Sequence, residues 1–506
     1  MSMRMAAAAA RRVLVEMASP KLSPPADPLI VVNGQISAAF NRDKKTSYAE
    51  LIGGRYFNVQ LDWNKQMGNA LYAPGKAQPK KHTEHKIVGQ PIKREDVAPK
   101  VFAQEDFVVD IKVPGMVHGR VIRPAIAGAV PVKIDESSVK DIPGVQVVHQ
   151  NGFLGVVAPK EWDAIKAMQQ LKVEWSKVEP PFPNQNALYD HIRKAPVRKS
   201  ATEGKTAGNV DEAFKTAARV IEAEYEWPFQ SHACMGPACA VVAINGDKVD
   251  CWSGTQKSHF VQTGLAAQLG VPLNNVHVRW INGPGSYGRN DAGDACMDAA
   301  ILSKAVGKPV KVVWSREDDM QHDYYRPISY ARMWGAVDEA GRPTLYKQRL
   351  VQQSLMKRLG GLPPNGVDFI SMDGCATLPY DIPNLKIEYT EQDPGIPYGF
   401  WRSVGASFQG FAVEAFIDEL ATTAGKDPYE FRKGLLSKAP RHLAALNLAA
   451  EKAGWGKPLP QGRARGIAVM EAFGSILAQV TEVSVDAKGA VDRARNEAAE
   501  GAEAAA

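Results

Sequence analysis

VHVRWINGPGSYGRNDAGDACMDAAILSKAVGKPVKVVWSRED, residues 276–318, carries four structural signals in succession. VHVRWI alternates apolar and polar residues as a strand does, and a glycine-crowded loop follows it. DACMDAAILSKAV then reads as a helix, Gly307 and Pro309 stop it, and KVVW returns as a second strand. Strand, glycine loop, helix and strand together define an α/β arrangement. The loop lets backbone N–H groups approach a bulky or anionic ligand. GPGSYG is neither GxGxxG nor a Walker A motif, because it lacks the Gly-Lys-Ser/Thr ending that phosphate and magnesium binding needs. A tight turn that uses its glycines for its own geometry is an equal reading.

Two flanking stretches extend this core. Upstream, CAVVAI and KVDCWSG enclose an Asn-Gly turn, a strong hairpin signal, and FVQTGLAAQLG reads as a helix ended by Gly270. WSGTQ places Gln256 just past a strand end, where its amide either meets a ligand or faces water. Downstream, GFWRSVGASFQGFAVEAFIDELA (399–421) changes character halfway. Phe408, Phe411, Ala412, Ala415, Phe416 and Leu420 recur at helical spacing, which predicts a helix with Glu414, Asp418 and Glu419 on its polar face. Ser403 or Ser407 is the expected cap, and Gly425 with Asp427-Pro428 the stop. Arg402 therefore stands at a helix mouth, a place suited to anionic or acceptor-rich ligands, but packing on Trp401 or pairing with a carboxylate is the favoured reading of the position alone.

Length and composition bound the rest. The chain has 506 residues, room for two to four domains. Its 61 basic and 55 acidic residues leave a dispersed net charge of +6, too mild to argue for nucleic acid. KAQPKKHTEHK and IRKAPVRKS read as solvated linkers, and HTEH (82–85) is not the HExxH zincin pattern. No window holds eighteen apolar residues. The start, MSMRMAAAAARRVLVEMAS, reads as a helix and not as a signal peptide. None of the five cysteines forms a CxxC pair, so an iron–sulfur cluster is not expected in this chain, and no metal-ligand set is assigned. HACMGPAC puts His232 near Cys234 and Cys239, but small buried cysteines are the favoured reading over a soft metal site. The carboxylates of EDD (317–319) and IDEL (417–420) read as solvated faces.

The chain-long reading is α+β and multi-domain. Residues 1–74 form an N-terminal module with a helix, a strand at LIVVNGQIS and the segment SYAELIGGRYFNVQLDW, and residues 75–86 a linker. Residues 87–200 carry short strands at DFVVDIKV, MVHGRVIRP, VPVKID and VQVVHQNGFLGVVA, the helix EWDAIKAMQQL and the strand VEWS, ending in the loop EPPFPNQNALYDHIRKAPVRKS. Residues 208–485 form a mixed α/β domain. Residues 486–506, rich in Ala and charge, are expected to be disordered or an isolated helix.

GIPYGFWRSVGASFQGFAVEAFIDELATTAGKDPYEFR and KAGWGKPLPQGRARGIAVMEAFGSILAQVTEVSV resemble the molybdopterin-binding large subunit of the xanthine oxidase family, nearest to the isoquinoline 1-oxidoreductase beta subunits and related aldehyde dehydrogenases. KIVGQPIKREDVAPKVFAQEDFVVDIKVPGMVHGRVIRP is similar to that family's small α+β hammerhead domain. CMGPACAVVAINGDKVDCWSGTQ and the glycine-loop stretch resemble its molybdopterin-binding domain. The resemblance spans about residues 86–485. It implies a molybdopterin cytosine dinucleotide cofactor whose molybdenum is held by a dithiolene and by no protein ligand. Gln256 is the implied catalytic residue beside the molybdenum oxygens. Gly285, Tyr287, Gly288, Arg402, Ser403, Gly405 and Ala406 are the implied cofactor contacts.

The implied reaction hydroxylates an electron-poor carbon of an N-heterocycle or aldehyde with water-derived oxygen. Electrons would leave through a separate [2Fe–2S] alpha subunit, with a cytochrome c as a candidate onward acceptor. The sequence departs from the family in lacking a GxGEP-type loop with the glutamate that acts as general base, and in ending as RARNEAAEGAEAAA after EVSVDAKGAV. Truncation at both ends is the expectation, with a separately encoded C-terminal fragment as a candidate partner. Family members are often exported to the periplasm, but the chain carries no such signal. A non-catalytic remnant or assembly partner that keeps the fold and binds no molybdenum is the second reading.

Overall fold

A computed structural model describes residues 2–22, 29–55, 77–182, 184–194, 199–283, 285–362 and 364–500. The chain divides into two compact units, Met1–Val101 and Phe102–Ala506. In the first, α1 (Ser2–Leu22) packs with a three-stranded meander of β1 (Leu29–Val32), β2 (Gln35–Ala38) and β3 (Lys45–Ser47), followed by α2 (Tyr48–Ile52). Asn33 and Gly34 both take positive φ between β1 and β2, the backbone that a two-residue hairpin turn demands. Ser47 and Glu50 close a capping box on α2. Ala18, Leu22 and Ile36 form its small core. RYFNVQLDW begins at the edge of the described residues and lies mostly outside them. Within the expected linker, His82–Glu84 is a short 3-10 turn and His85 meets Arg4 at 2.8 Å. A last helix, α3 (Val97–Val101), ends the unit.

The second unit opens with β4 (Val117–Val121), β5 (Pro131–Asp135), β6 (Gln146–Gln150), β7 (Phe153–Ala158), α4 (Glu161–Gln170) and β8 (Lys172–Trp175). It continues through α5 (Leu188–Lys194), β9 (Lys199–Ala207), α6 (Val210–Thr216), β10 (Val220–Trp227), β11 (Cys239–Asn245), β12 (Lys248–Ser253), α7 (Ser258–Leu269), β13 (Val276–Trp280), α8 (Asp294–Val306) and β14 (Val310–Val313). The remainder is α9 (Arg316–Gln321), β15 (Ser329–Val337), β16 (Pro343–Gln352), β17 (Leu385–Glu391), α10 (Ala406–Thr423), α11 (Pro428–Leu435), α12 (Pro440–Lys452), β18 (Arg463–Ala472), β19 (Ser475–Val485) and β20 (Val491–Glu500).

Two large sheets organise these elements. The first has seven strands in the order β13-β12-β11-β14-β4-β7-β6, so strands from before residue 200 and after residue 208 share one sheet. Its buried face carries Ala240, Val242, Val249, Cys251, Val310 and Val312 against Leu265 of α7 and Ala299 of α8. The β11–β12 hairpin turns at Gly246, and α7 and α8 end at left-handed Gly270 and Gly307, as the sequence pattern requires. The second sheet, β10-β15-β16-β17-β9, holds the largest core through Met333, Tyr346, Leu350 and Ile387, packed on Phe416, Ile417 and Leu420 of α10.

Several local expectations change. DFVVDIKV is not a strand. It runs as a loop whose Phe107 bridges Asn282, and whose Val108 amide donates to the Asn282 carbonyl at 2.8 Å. The EPPFPN…VRKS stretch contains α5, with Leu188 and Ile192 buried. Part of the tail expected to fray pairs in register with β19 as β20, since a turn at Asp486–Gly489 returns the chain beside the open edge of that strand. Residues 501–506 lie outside the described residues.

Helix α10 is turned differently from its apolar reading. Phe411 is 57% exposed, its ring edge-on to Tyr225 and Trp227, while Glu414 is buried. Arg432 on α11 draws Glu414 inward: its Nε donates to Oε2 at 2.9 Å, Val469 N donates to the same oxygen at 3.0 Å, and Tyr380 Oη donates to Oε1 at 2.8 Å. Burial still pushes the Glu414 carboxyl up, with Arg432 pulling against it. Asp418 also pairs with Arg432 and Glu419 accepts from Tyr225, so IDEL is a bonded face. Tyr380→Phe removes one donor from this buried carboxylate and should cost about 1.5–3 kcal/mol, read by chemical denaturation.

Candidate functional site

Three loops converge past the C-terminal ends of β12 and β13. The first leaves β12 as Gly254-Thr255-Gln256, the second is the glycine loop 285–288 before α8, and the third runs from Gly399 to Gly405 before α10. Gly254 and Gly283 make the first approach possible, because a Cβ on Gly254 would lie 2.5 Å from the Gly283 Cα. Gln256 fixes the junction: its Oε1 accepts from Ser286 Oγ at 2.5 Å and from Gly288 N at 3.1 Å. With the carbonyl end so engaged, the amide Nε2 is left as a donor group on an exposed side chain.

The third loop joins through its backbone. Arg402 N donates to Tyr287 O at 2.7 Å, and a Cβ on Gly288 would fall 1.8 Å from the Phe400 carbonyl oxygen. Tyr287, Ser403 and Val404 all hold positive φ, a clustering of uncommon backbone at one place. Gln256, Tyr287, Arg402 and Ser403 are exposed, whereas Gly405 and Ala406 are buried. A Cβ on Gly405 would meet three carbonyl oxygens, of Ile370, Asp373 and Ser371, within 2.8 Å. All eight residues singled out in the sequence thus sit on the three loops or directly beneath them. Neither expected cap serves α10: Ser403 Oγ donates to Arg402 O and Ser407 Oγ to Val404 O, and the helix starts after Gly405.

Behind the loops lies a charged layer that the sequence reading missed. Arg289, 1% exposed, forms a two-pronged pair with Asp294 at 3.0 and 2.9 Å, and its Nε lies 3.1 Å from Asp323 and 3.6 Å from Asp319. Burial opposes its charge, but the three carboxylates outweigh burial and raise its pKa. Asp319, expected on a solvated face, is buried and accepts from Ala238 N at 3.3 Å. Burial pushes Asp319 up, whereas Asp323 ends below the usual carboxylate range because bonds from His232 and the charge of Arg289 overcome its burial. Asp298 on α8, pushed up to about 6 by burial, accepts from Arg123 and from Trp314 Nε1.

His232 is the remaining member. Its Nδ1 lies 3.0 Å from both Asp323 oxygens, its Nε2 2.7 Å from Phe400 O, and its ring stacks on Trp401 at 5.0 Å. The HACMGPAC stretch had suggested His232 only as an unlikely companion of cysteines. All five cysteines are buried and free, and among the described residues no cluster suited to a metal ion occurs.

Chemically, the site is a donor-rich wall of amide, guanidinium and loop backbone, without a protein metal-ligand set among the described residues. That suits a large acceptor-rich cofactor better than a bare ion. Residues 193–434 match the molybdopterin cofactor-binding domain. The chain is 32% identical to the B subunit of nicotinate dehydrogenase from Pseudomonas putida, over 90% of its own length and 38% of that protein's. It is 25% identical to the beta subunit of isoquinoline 1-oxidoreductase from Brevundimonas diminuta, over 95% of this chain and 66% of the relative. The chain therefore spans less than two thirds of either relative. Quinoline 2-oxidoreductase from Pseudomonas putida 86 shares the fold at a TM-score of 0.61 and 18% identity, covering 79% of this chain and 61% of that one.

These similarities are first to a class, the molybdopterin-binding subunits of molybdenum-dependent oxidoreductases. Within it, the chain is similar to molybdopterin-binding subunits of the xanthine oxidase family.

Proposed function

We propose that the chain is the cofactor-binding portion of a molybdenum hydroxylase that oxidises N-heterocyclic aromatics or aldehydes with water-derived oxygen. The observation that carries this reading is the junction in which Gln256 ties the glycine loop, and Tyr287 ties the Arg402 loop, into one donor-bearing wall. The relatives named for nicotinate and isoquinoline favour a ring nitrogen beside the reacting carbon, and a membrane-bound aldehyde dehydrogenase of Gluconacetobacter polyoxogenes, 28% identical, keeps aldehydes as the other class. Molybdopterin cytosine dinucleotide is the proposed cofactor, a small [2Fe–2S] subunit the proposed electron acceptor, and a cytochrome c the onward carrier.

When bound, the cofactor supplies the redox and oxygen-transfer chemistry. The residues here bind and orient. With the cofactor bound, Gln256 Nε2 would donate to one of its acceptor atoms, Arg402 would offer its fork of donors, and Tyr287 and Ser403 would border the opening. Gly285 and Gly288 keep the loop backbone close, and Gly405 and Ala406 form the floor. None of these side chains is a base suited to proton abstraction.

Metal and nucleotide analysis of the chain, purified with its [2Fe–2S] partner from a host that makes the cofactor, tests the reading. Stoichiometric molybdenum with a cytidine nucleotide is the expected result. Protein that folds and binds no molybdenum in such a host would instead establish the non-catalytic reading. In loaded protein, Gln256→Ala should lower kcat per bound molybdenum about tenfold, the worth of one neutral hydrogen bond made in the transition state, and should also lower molybdenum content because it unties Ser286 and Gly288.

A further inference from the structure

The ring of His232 is fully buried and both of its nitrogens face acceptors. Phe400 O is a carbonyl and can only accept. Asp323 already accepts from His232 N at 2.7 Å and Ser231 Oγ at 2.8 Å, and it lies 3.1 Å from Arg289 Nε. With two hydrogen bonds and the Arg289 guanidinium on it, Asp323 is the ionised partner and not a donor to Nδ1. A neutral imidazole would leave one ring nitrogen as a lone pair against an oxygen. In a site with no water-facing surface that contact is repulsive and uncompensated.

We propose that His232 is a positioning residue, an imidazolium that donates from both nitrogens and clamps the Phe400 carbonyl so that the Arg402 loop stays on the glycine loop. The clamp acts at the crossing point itself. A Cβ on Gly288 would lie 1.8 Å from Phe400 O and 3.0 Å from His232 Nε2, so the carbonyl, the imidazole and the glycine occupy one small space. Two residues further on, Arg402 N donates to Tyr287 O, which makes the exposed guanidinium a dependent of this contact.

The surrounding charges are arranged for a cation. Asp323 faces Nδ1 directly, and Asp319 and Asp294 lie behind it, compensated by Arg289. The two cations His232 and Arg289 thus face three carboxylates. Arg326, lying over the Trp401 ring at 5.8 Å, is a further cation beside the stack, and burial pulls it down to about 10. On the ring's open faces the stacking partner is Trp401, whose π cloud favours a protonated ring over a neutral one.

The functional half of this inference rests on the proposed function, and its test does not. In the full chain labelled with 15N-histidine, the ring resonance that disappears in His232→Gln should show both nitrogens protonated at neutral pH. Hydrogen exchange followed by mass spectrometry should show the 399–405 amides exchanging about tenfold faster or more in that variant, the worth of a charged hydrogen bond, with the rest of the chain unchanged. If His232→Gln does not fold, Trp401→Leu keeps both hydrogen bonds, identifies the same resonance by its shift, and should leave it doubly protonated. A neutral tautomer in the wild-type ring, or unchanged protection of 399–405 in a folded His232→Gln chain, overturns the proposal. Neither readout uses molybdenum, so protein free of molybdenum would sink the proposed function and leave the clamp standing.

Discussion

Gly288→Ala should abolish measurable turnover in the loaded protein, at least about 10²-fold below wild type, and deplete its molybdenum, because the substitution drives apart the two loops that build the site. The residue holds φ at +114°, which a side chain resists, and its Cβ would sit 1.8 Å from Phe400 O and 2.7 Å from the Phe400 carbonyl carbon. Ordinary contact needs roughly 3.4 Å between such atoms, so Phe400 must retreat by more than about 1 Å. That movement breaks the bond from His232 Nε2 and pulls Arg402 N from Tyr287 O. A control away from the site separates this clash from backbone strain. Gly270→Ala has φ +70° and nothing within 4 Å. It should cost only about 1–2 kcal/mol of stability from the left-handed backbone. Turnover and bound molybdenum measured on the two variants give the comparison, and a Gly288→Ala protein that behaves like Gly270→Ala would remove the crossing from the mechanism.

The contrast between these glycines also marks what the sequence could reveal. The order strand, glycine loop, helix and strand is local, and it reads correctly from alternation, the Gly246 turn and the Gly270 and Gly307 stops. Resemblance then placed Gln256, Gly288 and Arg402 in one site. Their bonding is another matter, since Gln256 reaches Gly288 across 32 residues and His232 reaches Phe400 across 168, and no local pattern records such a crossing. The face of α10 was misassigned for a related reason. A helix enclosed by β15 on one side and by α11 and β18 on others has no single polar stripe, so Arg432 could draw Glu414 inside while Phe411 remained at the surface. The same logic hid Asp319, whose EDD context is charged but whose partners Arg289 and Ala238 come from distant elements.

Arg289 is where this buried charge can be tested most severely. Arg289→Met fills a similar volume without a charge and leaves Asp294, Asp319 and Asp323 facing one another, the latter two with fully or almost fully buried side chains. Removing one partner from a buried ion pair typically costs about 3–5 kcal/mol, and three carboxylates place this variant at the upper end. The pH dependence has a definite sign. In the wild type, Asp323 is held below its unfolded value, so its contribution is present above the unfolded carboxylate pKa and is lost as pH falls through the folded one. Without Arg289, among the described residues Asp323 keeps only His232 and Asp319 only Arg316 at 3.2 Å as a cationic partner, so burial weighs more heavily on these carboxylates and their folded values rise. Their cost is then full near neutrality and is relieved as pH falls, because protonation removes the buried charge. The stability gap between variant and wild type should therefore be largest near pH 7 and shrink toward about pH 4, where unfolded carboxylates begin to protonate. Arg289→Lys restores a charge without the fork that spans Asp294 and Asp323, and it should recover part of the loss at neutral pH. Denaturant unfolding of the three proteins at both pH values measures this, and a gap that stays constant or widens on acidification would mean that Arg289 acts by packing on Trp314, over which its guanidinium lies at 4.7 Å, and not by charge.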